Sequence, residues 1–298
     1  MRMKKQEFIL KLKGGLGNQL FQFASAFALS KMNNADLLLD IDSGFRRDRV
    51  FRRTYHLDKF RLTGVKIKNS NCFTRYNFII QKFHRLVNRF LPLPFRYYLF
   101  EDDLTDASKV FECKYFWKKV YLDGYWQNPV FFSQFEDELR DAFKLKKAIQ
   151  TDSLPLAESL QNSCSVAIHI RIFGDEVGVS SHVPMSYYKS AVAVINNFVA
   201  SPYFYIFTND PLKARELMTE IDVPFIVVEG SHSEESSYRD LWLMSECNHF
   251  IISDSTFGWW GAWLGQKSDK IVVAPNSGRA SFGLDVARPG TLASWIRI

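Results

Sequence analysis

From Ser165 onward the chain alternates short apolar runs with longer stretches in which apolar residues recur every three or four positions. The runs SVAIHI (165–170), YFYIF (203–207), PFIVV (224–228), HFIIS (249–253) and KIVVA (270–274) are rich in β-branched and aromatic residues and predict strands. Between them, 186–200, 211–221, 237–247 and 257–265 read as helices. Asp210 stands as an N-cap with Pro211 in the first turn. Five strands joined by crossover helices predict a parallel, doubly wound sheet with its ligand site at the carboxyl ends.

The N-terminal half begins in the same way, with a strand at Phe8–Leu12, a glycine turn at 14–17, a helix from Asn18 to Met32 and a strand at Ala35–Ile41. After that the pattern blurs. Leu122–Asn128 reads as a loop, Val130–Leu145 as a helix, and the polar, proline-containing stretch Thr151–Asn162 as a linker. The expected organisation is two Rossmann-like domains, 1–155 and 156–298. Within the first, Tyr76, Ile79, Ile80, Phe83, Leu86, Val87 and Phe90 share one helical face and Lys82, Arg85 and Arg89 another.

Length and composition narrow the function. At 298 residues, 47% apolar and 23% charged, the chain is long enough for two domains and is not disordered. Its net charge of +6 invites a nucleic-acid reading. Nine basic residues, however, lie between Lys59 and Phe100, a segment with no Asp or Glu, and without them the remainder is slightly acidic. A local charge of this kind argues against a nucleic-acid binder. It leaves two readings, a surface helix packed on the N-terminal domain or a basic aromatic segment resting on anionic lipid. Cys72, Cys113, Cys164 and Cys247 are far apart and form no zinc-like spacing. With no signal peptide and no run of about 20 apolar residues, the expected location is the cytoplasm, or the inner face of the cytoplasmic membrane on the lipid reading.

Three motifs carry candidate chemistry. In GGLGNQLF (14–21), Gly15 and Gly17 let backbone amides approach a ligand at a helix N-terminus, or simply turn the chain into that helix. Asn18 and Gln19 would point their amides into a cleft. In HIRIFGD (169–175), His169 and Arg171 share one side of a strand end, so Arg171 either meets an anion such as a phosphate or pairs with Asp175. In SDSTFGWWGAW (253–263), Ser253, Ser255 and Thr256 place hydroxyls where a strand yields to a helix, a second phosphate cradle. Trp259, Trp260 and Trp263 read as packing that helix. Asp40-Ile41-Asp42 has the D-x-D spacing of metal-dependent sugar transferases, and reads equally as two acids flanking a core Ile.

GGLGNQLFQFA, YLDGYWQNPVFF (121–132), HIR, FTND (207–210) and SYRDLWLMSECNHFIISDSTFGWWGAWL (237–264), in this order, resemble the bacterial α-1,2-fucosyltransferases of glycosyltransferase family 11. The resemblance implies a GT-B-like α/β fold, two Rossmann-like domains facing across a cleft, with the acceptor side N-terminal and the donor side C-terminal. It implies inverting transfer of L-fucose from GDP-β-L-fucose to the 2-hydroxyl of a galactoside in surface-glycan or O-antigen synthesis, with no cofactor and no metal. It assigns Arg171 and Asn18 as catalytic, and His169, Asp210, Ser255, Thr256 and Phe257 as donor-binding; the motifs themselves add Gly15, Gly17 and Ser253 to the donor-binding set, with Asp175 as the displaced acid. The family usually reads H-x-R-R-x-D. Here Ile172 replaces the second Arg and the acid falls one residue later, a pattern closer to the protein O-fucosyltransferases.

The partners so implied are GDP-fucose and a galactose-terminated glycan; the lipid reading of Lys59–Phe100 would add membrane contact and a lipid-linked acceptor, and no nucleic acid is expected. Rival readings are a transferase of another GDP-sugar and a nicotinamide oxidoreductase using GGLGN. Asp42, Asp175, Glu176 and Asp254 are all candidates for a general base.

Overall fold

The computed structural model describes residues 5–46, 48–63, 65–68, 78–147, 151–172, 183–229, 234–276 and 294–298. The chain divides into two compact units, Met1–Lys146 and Lys147–Ile298.

In the first unit the elements follow in the order β1 (Glu7–Lys11), α1 (Leu16–Met32), β2 (Asp36–Asp40), β3 (Lys66–Lys68), α2 (Phe78–Phe90), β4 (Tyr98–Phe100), α3 (Ser108–Glu112), β5 (Lys119–Asp123) and α4 (Glu136–Ala142). The sheet order is β3-β2-β1-β5-β4 and every pairing is parallel. Phe8, Ile9 and Leu10 of the central β1 are wholly buried, as a strand covered on both faces requires. α1 is buried nearly all round, from Leu16 to Ser30 apart from Asn18, which suits its apolar sequence.

The second unit runs α5 (Leu154–Asn162), β6 (Ser165–Ile170), α6 (Met185–Phe198), β7 (Tyr203–Thr208), α7 (Pro211–Met218), β8 (Phe225–Val227), α8 (Ser237–Ser245), β9 (His249–Ile251), α9 (Thr256–Leu264), β10 (Val272–Ala274) and β11 (Ile296–Arg297). Its parallel sheet has the order β11-β10-β9-β6-β7-β8. The two-residue β11 extends the five expected strands to six.

Several expectations change. Thr151–Asn162 is not a linker: Pro155 falls in the first turn of α5, where its missing N–H costs nothing, and Ala157 and Leu160 are buried. Val130–Leu145 is not one helix. Asn128 Oδ1 caps the Val130 amide, and Phe131 and Phe132 are drawn into the core, where Phe131 stacks on Phe111 at 4.2 Å and Phe132 meets Phe21 at 6.1 Å. Two single 3₁₀ turns result, and the helix is confined to Glu136–Ala142. Leu122 and Asp123, expected in a loop, end β5.

Candidate functional site

In the second sheet the chain steps from β6 to β7 and β8 on one side, then returns to lay β9 on the other side of β6. The carboxyl edge between β6 and β9 is therefore the switch point at which an open parallel sheet binds ligands. His169, near the end of β6, and Ser253, just past β9, meet there: Nδ1 and Oγ share a hydrogen bond of 2.7 Å. Both residues are buried, at 4% and 3% exposure. The imidazole also stacks on Phe257, ring centroids 5.5 Å apart.

Gly258 makes that packing possible, since a Cβ there would lie 2.9 Å from His169 Nδ1. Burial, with the charge of Arg171 second, pushes the His169 pKa down to about 3, so the ring is neutral near pH 7. It can share hydrogen bonds but carries no positive charge.

Arg171 emerges half-buried two residues beyond His169, at the mouth of the same edge. The next residue, Ile172, is held by Asn209, which follows β7: Asn209 Nδ2 donates to the Ile172 carbonyl at 2.8 Å and Oδ1 accepts its N–H at 2.9 Å. Sequence reasoning passed over Asn209; its signal was the FTND motif itself. Asp210 caps α7, its Oδ1 accepting the Lys213 N–H at 3.0 Å. Ser255 is the N-cap of α9, with Oγ accepting the Phe257 N–H at 3.3 Å. Asp254, Ser255, Thr256 and Phe257 are all half-buried at this helix start, where the dipole favours an anion. Trp259, Trp260 and Trp263 are buried and pack the helix, with Trp295 beside Trp259. Asp175 and Glu176 lie outside the described residues.

The remaining predicted residues, Gly15, Gly17 and Asn18, lie in the first unit. Gly15 is the N-cap of α1 and offers no side-chain cap. Gly14, which was not singled out, is the residue that must be glycine, with φ at +78°. Gln19 does not point into a cleft. It is fully buried, donating from Nε2 to the Gly14 and Thr54 carbonyls and accepting the His56 N–H, so it ties the turn to the 54–56 segment. Gln22 likewise takes both main-chain groups of Lys13. Asn18 accepts from Gln127 Nε2 at 2.9 Å.

That bond crosses the equivalent switch point of the first sheet, between β1 and β5. There Asp123 accepts from Lys11 at 2.9 Å and Lys13 at 3.0 Å. Burial opposes ionisation of Asp123, but the two ammonium groups outweigh it and hold its pKa below the usual range. Glu101, after β4, accepts the Trp126 N–H at 2.9 Å, and burial raises its pKa. Trp126 is buried at the left-handed φ of +54°, held by Glu101 and by Ser25, whose Oγ donates to its carbonyl. Strain of this kind persists where its surroundings over-determine it. It presents Tyr125, 40% exposed, with Lys13 Nζ 4.8 Å from the ring centroid. Nothing in the residue spacing joined Lys13, Glu101, Asp123 and Tyr125, because strand order brings them together.

The D-x-D pair is structural. Asp40 is wholly buried, its Oδ1 accepting the N–H groups of Asp42 and Ser43 and its Oδ2 the Ser43 hydroxyl. Asp42 pairs with Arg46 at 2.6 Å. Among the described residues no three His, Cys, Asp or Glu side chains are grouped to hold a metal ion.

Comparison with known proteins agrees with this architecture. The model of the family described as Glycosyl transferase family 11 matches residues 1–296. Over 90% of this chain and 90% of its own length, the alpha-1,2-colitosyltransferase of Escherichia coli is 31% identical. The O-antigen biosynthesis glycosyltransferase WbnK of Escherichia coli is also 31% identical, over 96% of this chain and 99% of its own. Among solved structures, the NodZ alpha-1,6-fucosyltransferase soaked with GDP-fucose superposes with a TM-score of 0.55 at 13% identity, covering 88% of this chain and 93% of that one. At that identity the likeness is one of fold.

Proposed function

Because this chain belongs to glycosyl transferase family 11, we propose that it transfers L-fucose, with inversion, from GDP-β-L-fucose to the 2-hydroxyl of a galactoside. The observation that carries this reading is the convergence of Arg171, the neutral His169 and the start of α9 on one switch point. The reaction develops negative charge on departing GDP as the acceptor oxygen closes on the anomeric carbon. A planar guanidinium matches a pyrophosphate oxygen pair, and the α9 N-terminus adds a partial positive charge. On this reading Arg171 supplies the cation, Ser255, Thr256 and Phe257 the cradle, and His169 and Ser253 the buried support that fixes the end of β6. Asp210 holds the loop after β7, while Gly15, Gly17 and Asn18 stand at the start of α1 in the first unit.

The second unit is then the donor domain and the first the acceptor domain, in which the exposed Tyr125 ring and Lys13 offer an apolar face and a donor to a galactose. We place the enzyme in the cytoplasm, in surface-glycan or O-antigen synthesis on a lipid-linked acceptor. No helix among the described residues is long and apolar enough to cross a membrane. The relatives favour one competing donor, since one of them is a colitosyltransferase. Incubation with GDP-fucose, GDP-colitose and GDP-mannose over a panel of β-galactosides, with linkage analysis of the product, tests the assignment. Transfer from GDP-fucose to the galactose 2-position is expected, and preference for another donor or another position overturns it.

A further inference from the structure

Helix α2 sits on the first unit with three large apolar residues of its C-terminal two turns facing outward and a polar residue, Asn88, buried. α2 packs beside β4, and polar side chains tie the two together. Asn88 is 2% exposed, and its Oδ1 accepts the N–H groups of Tyr97 and Tyr98 at 2.9 and 3.0 Å. Nδ1 of His84 shares a 2.6 Å hydrogen bond with the Tyr97 hydroxyl. Arg85 grips Asp103 with two bonds of 2.6 and 2.7 Å. Together these bonds set the rotation of the helix about its axis. At that rotation Phe83, Leu86 and Phe90, one stripe at i, i+3 and i+7, are 61%, 56% and 79% exposed. The expectation that this apolar face packs on the domain is therefore overturned for these three residues.

The exposed apolar surface continues along the chain. Phe95 stacks on Phe116 with centroids 4.8 Å apart, both exposed, and the exposed Trp117 donates from its indole N–H to the Phe95 carbonyl. Lys118 and Lys119 follow, also exposed, and Arg89 is exposed on α2 itself. From Lys59 to Phe100 the sequence carries no acid. Apolar and aromatic side chains standing in water beside cations have the chemistry of a segment lying in a membrane interface.

We propose that this face of the first unit docks on the surface of an anionic lipid bilayer, with Phe83, Leu86 and Phe90 entering the headgroup region and Arg89 and Lys118 meeting the phosphates. Charge decides against a second copy of the chain as occupant, because a self-complementary contact would set these cations against their own kind, whereas anionic headgroups complement them. The inference goes beyond the catalytic reading and holds whichever sugar is moved.

Flotation with phosphatidylcholine vesicles, with or without about one-third phosphatidylglycerol, tests it. Four proteins are compared: the wild type, Phe83→Ser/Leu86→Ser/Phe90→Ser, Phe116→Ser/Trp117→Ser, and Arg89→Glu/Lys118→Glu. The wild type is expected to float with the anionic vesicles and to be released by about 0.5 M salt. Each variant should bind about tenfold more weakly or worse, with transfer to a dissolved acceptor unchanged. A wild type that ignores anionic vesicles, variants that float equally well, or a wild-type dimer that the serine variant makes monomeric would each overturn the proposal. Flotation by a protein that moves no sugar in the dissolved-acceptor assay would leave the docking intact and defeat the catalytic reading alone.

Discussion

Asn209 pairs through its side chain with the backbone of Ile172, occupying the place where the β6–β7 ladder would next have run. The ladder's final partners are Ile170 and Thr208, and the amide group supplies one donor and one acceptor beyond them. This fixes the chain on the far side of Arg171. Asn209→Ala is expected to lower kcat more than it raises KM for the donor, by roughly five- to fiftyfold, since the two bonds are solvent-exposed and each is worth about 0.5–1.5 kcal/mol. Steady-state kinetics with circular dichroism checks this, and an unchanged kcat would remove the positioning role.

Arg171→Ala should cost roughly a hundredfold or more in kcat with the fold intact, the usual scale for one preorganised group opposite a developing anion. Arg171→Lys keeps the charge and loses the fork, so partial recovery is expected. Single-turnover transfer on both variants measures it, and full activity in Arg171→Ala would falsify the role.

His169 gives the enzyme an acid-sensitive core. Its pKa is about 3 in the folded chain against 6.5 unfolded, because burial disfavours the cation. The unfolded chain therefore binds the extra proton first. This contribution to stability is complete above about pH 6.5 and is lost as pH falls towards 3, at up to about 1.4 kcal/mol per pH unit. His169→Asn should flatten the dependence of the urea midpoint on pH across that window. A variant that acid-denatures with the same slope as the wild type would refute the assignment.

Asp40 tests the D-x-D reading. Asp40→Ala leaves two N–H groups and the Ser43 hydroxyl without their acceptor, and a loss of roughly 1–3 kcal/mol is expected. Calorimetry should register this as a lower Tm, while the wild-type transfer rate is unaffected by a chelator. A chelator-sensitive rate restored by a divalent ion would reverse the interpretation.

Periodicity and turn chemistry determined most of the second unit from sequence alone. Strand β6 runs over the residues expected, and Asp210 caps α7 as its position before Pro211 implied. These features are local: a two-residue or 3.6-residue repeat and a capping side chain act within a few positions. The candidate residues of HIR and of SDSTF were visible for the same reason, since each stands at the end of an apolar run.

Tertiary structure decided what local pattern cannot encode. Strand order set β9 beside β6 and joined His169 to Ser253 across 84 residues, and the same kind of choice joined Lys13 to Asp123 across β1 and β5. In α2, the hydrophobic repeat identified an apolar stripe but not which way it faces. The buried amide of Asn88 settled that, because it is the acceptor for the Tyr97 and Tyr98 N–H groups and holds that side of the helix against β4. A pattern of hydrophobicity fixes an element's type through its own backbone, whereas its neighbours and its rotation depend on partners far away in the chain.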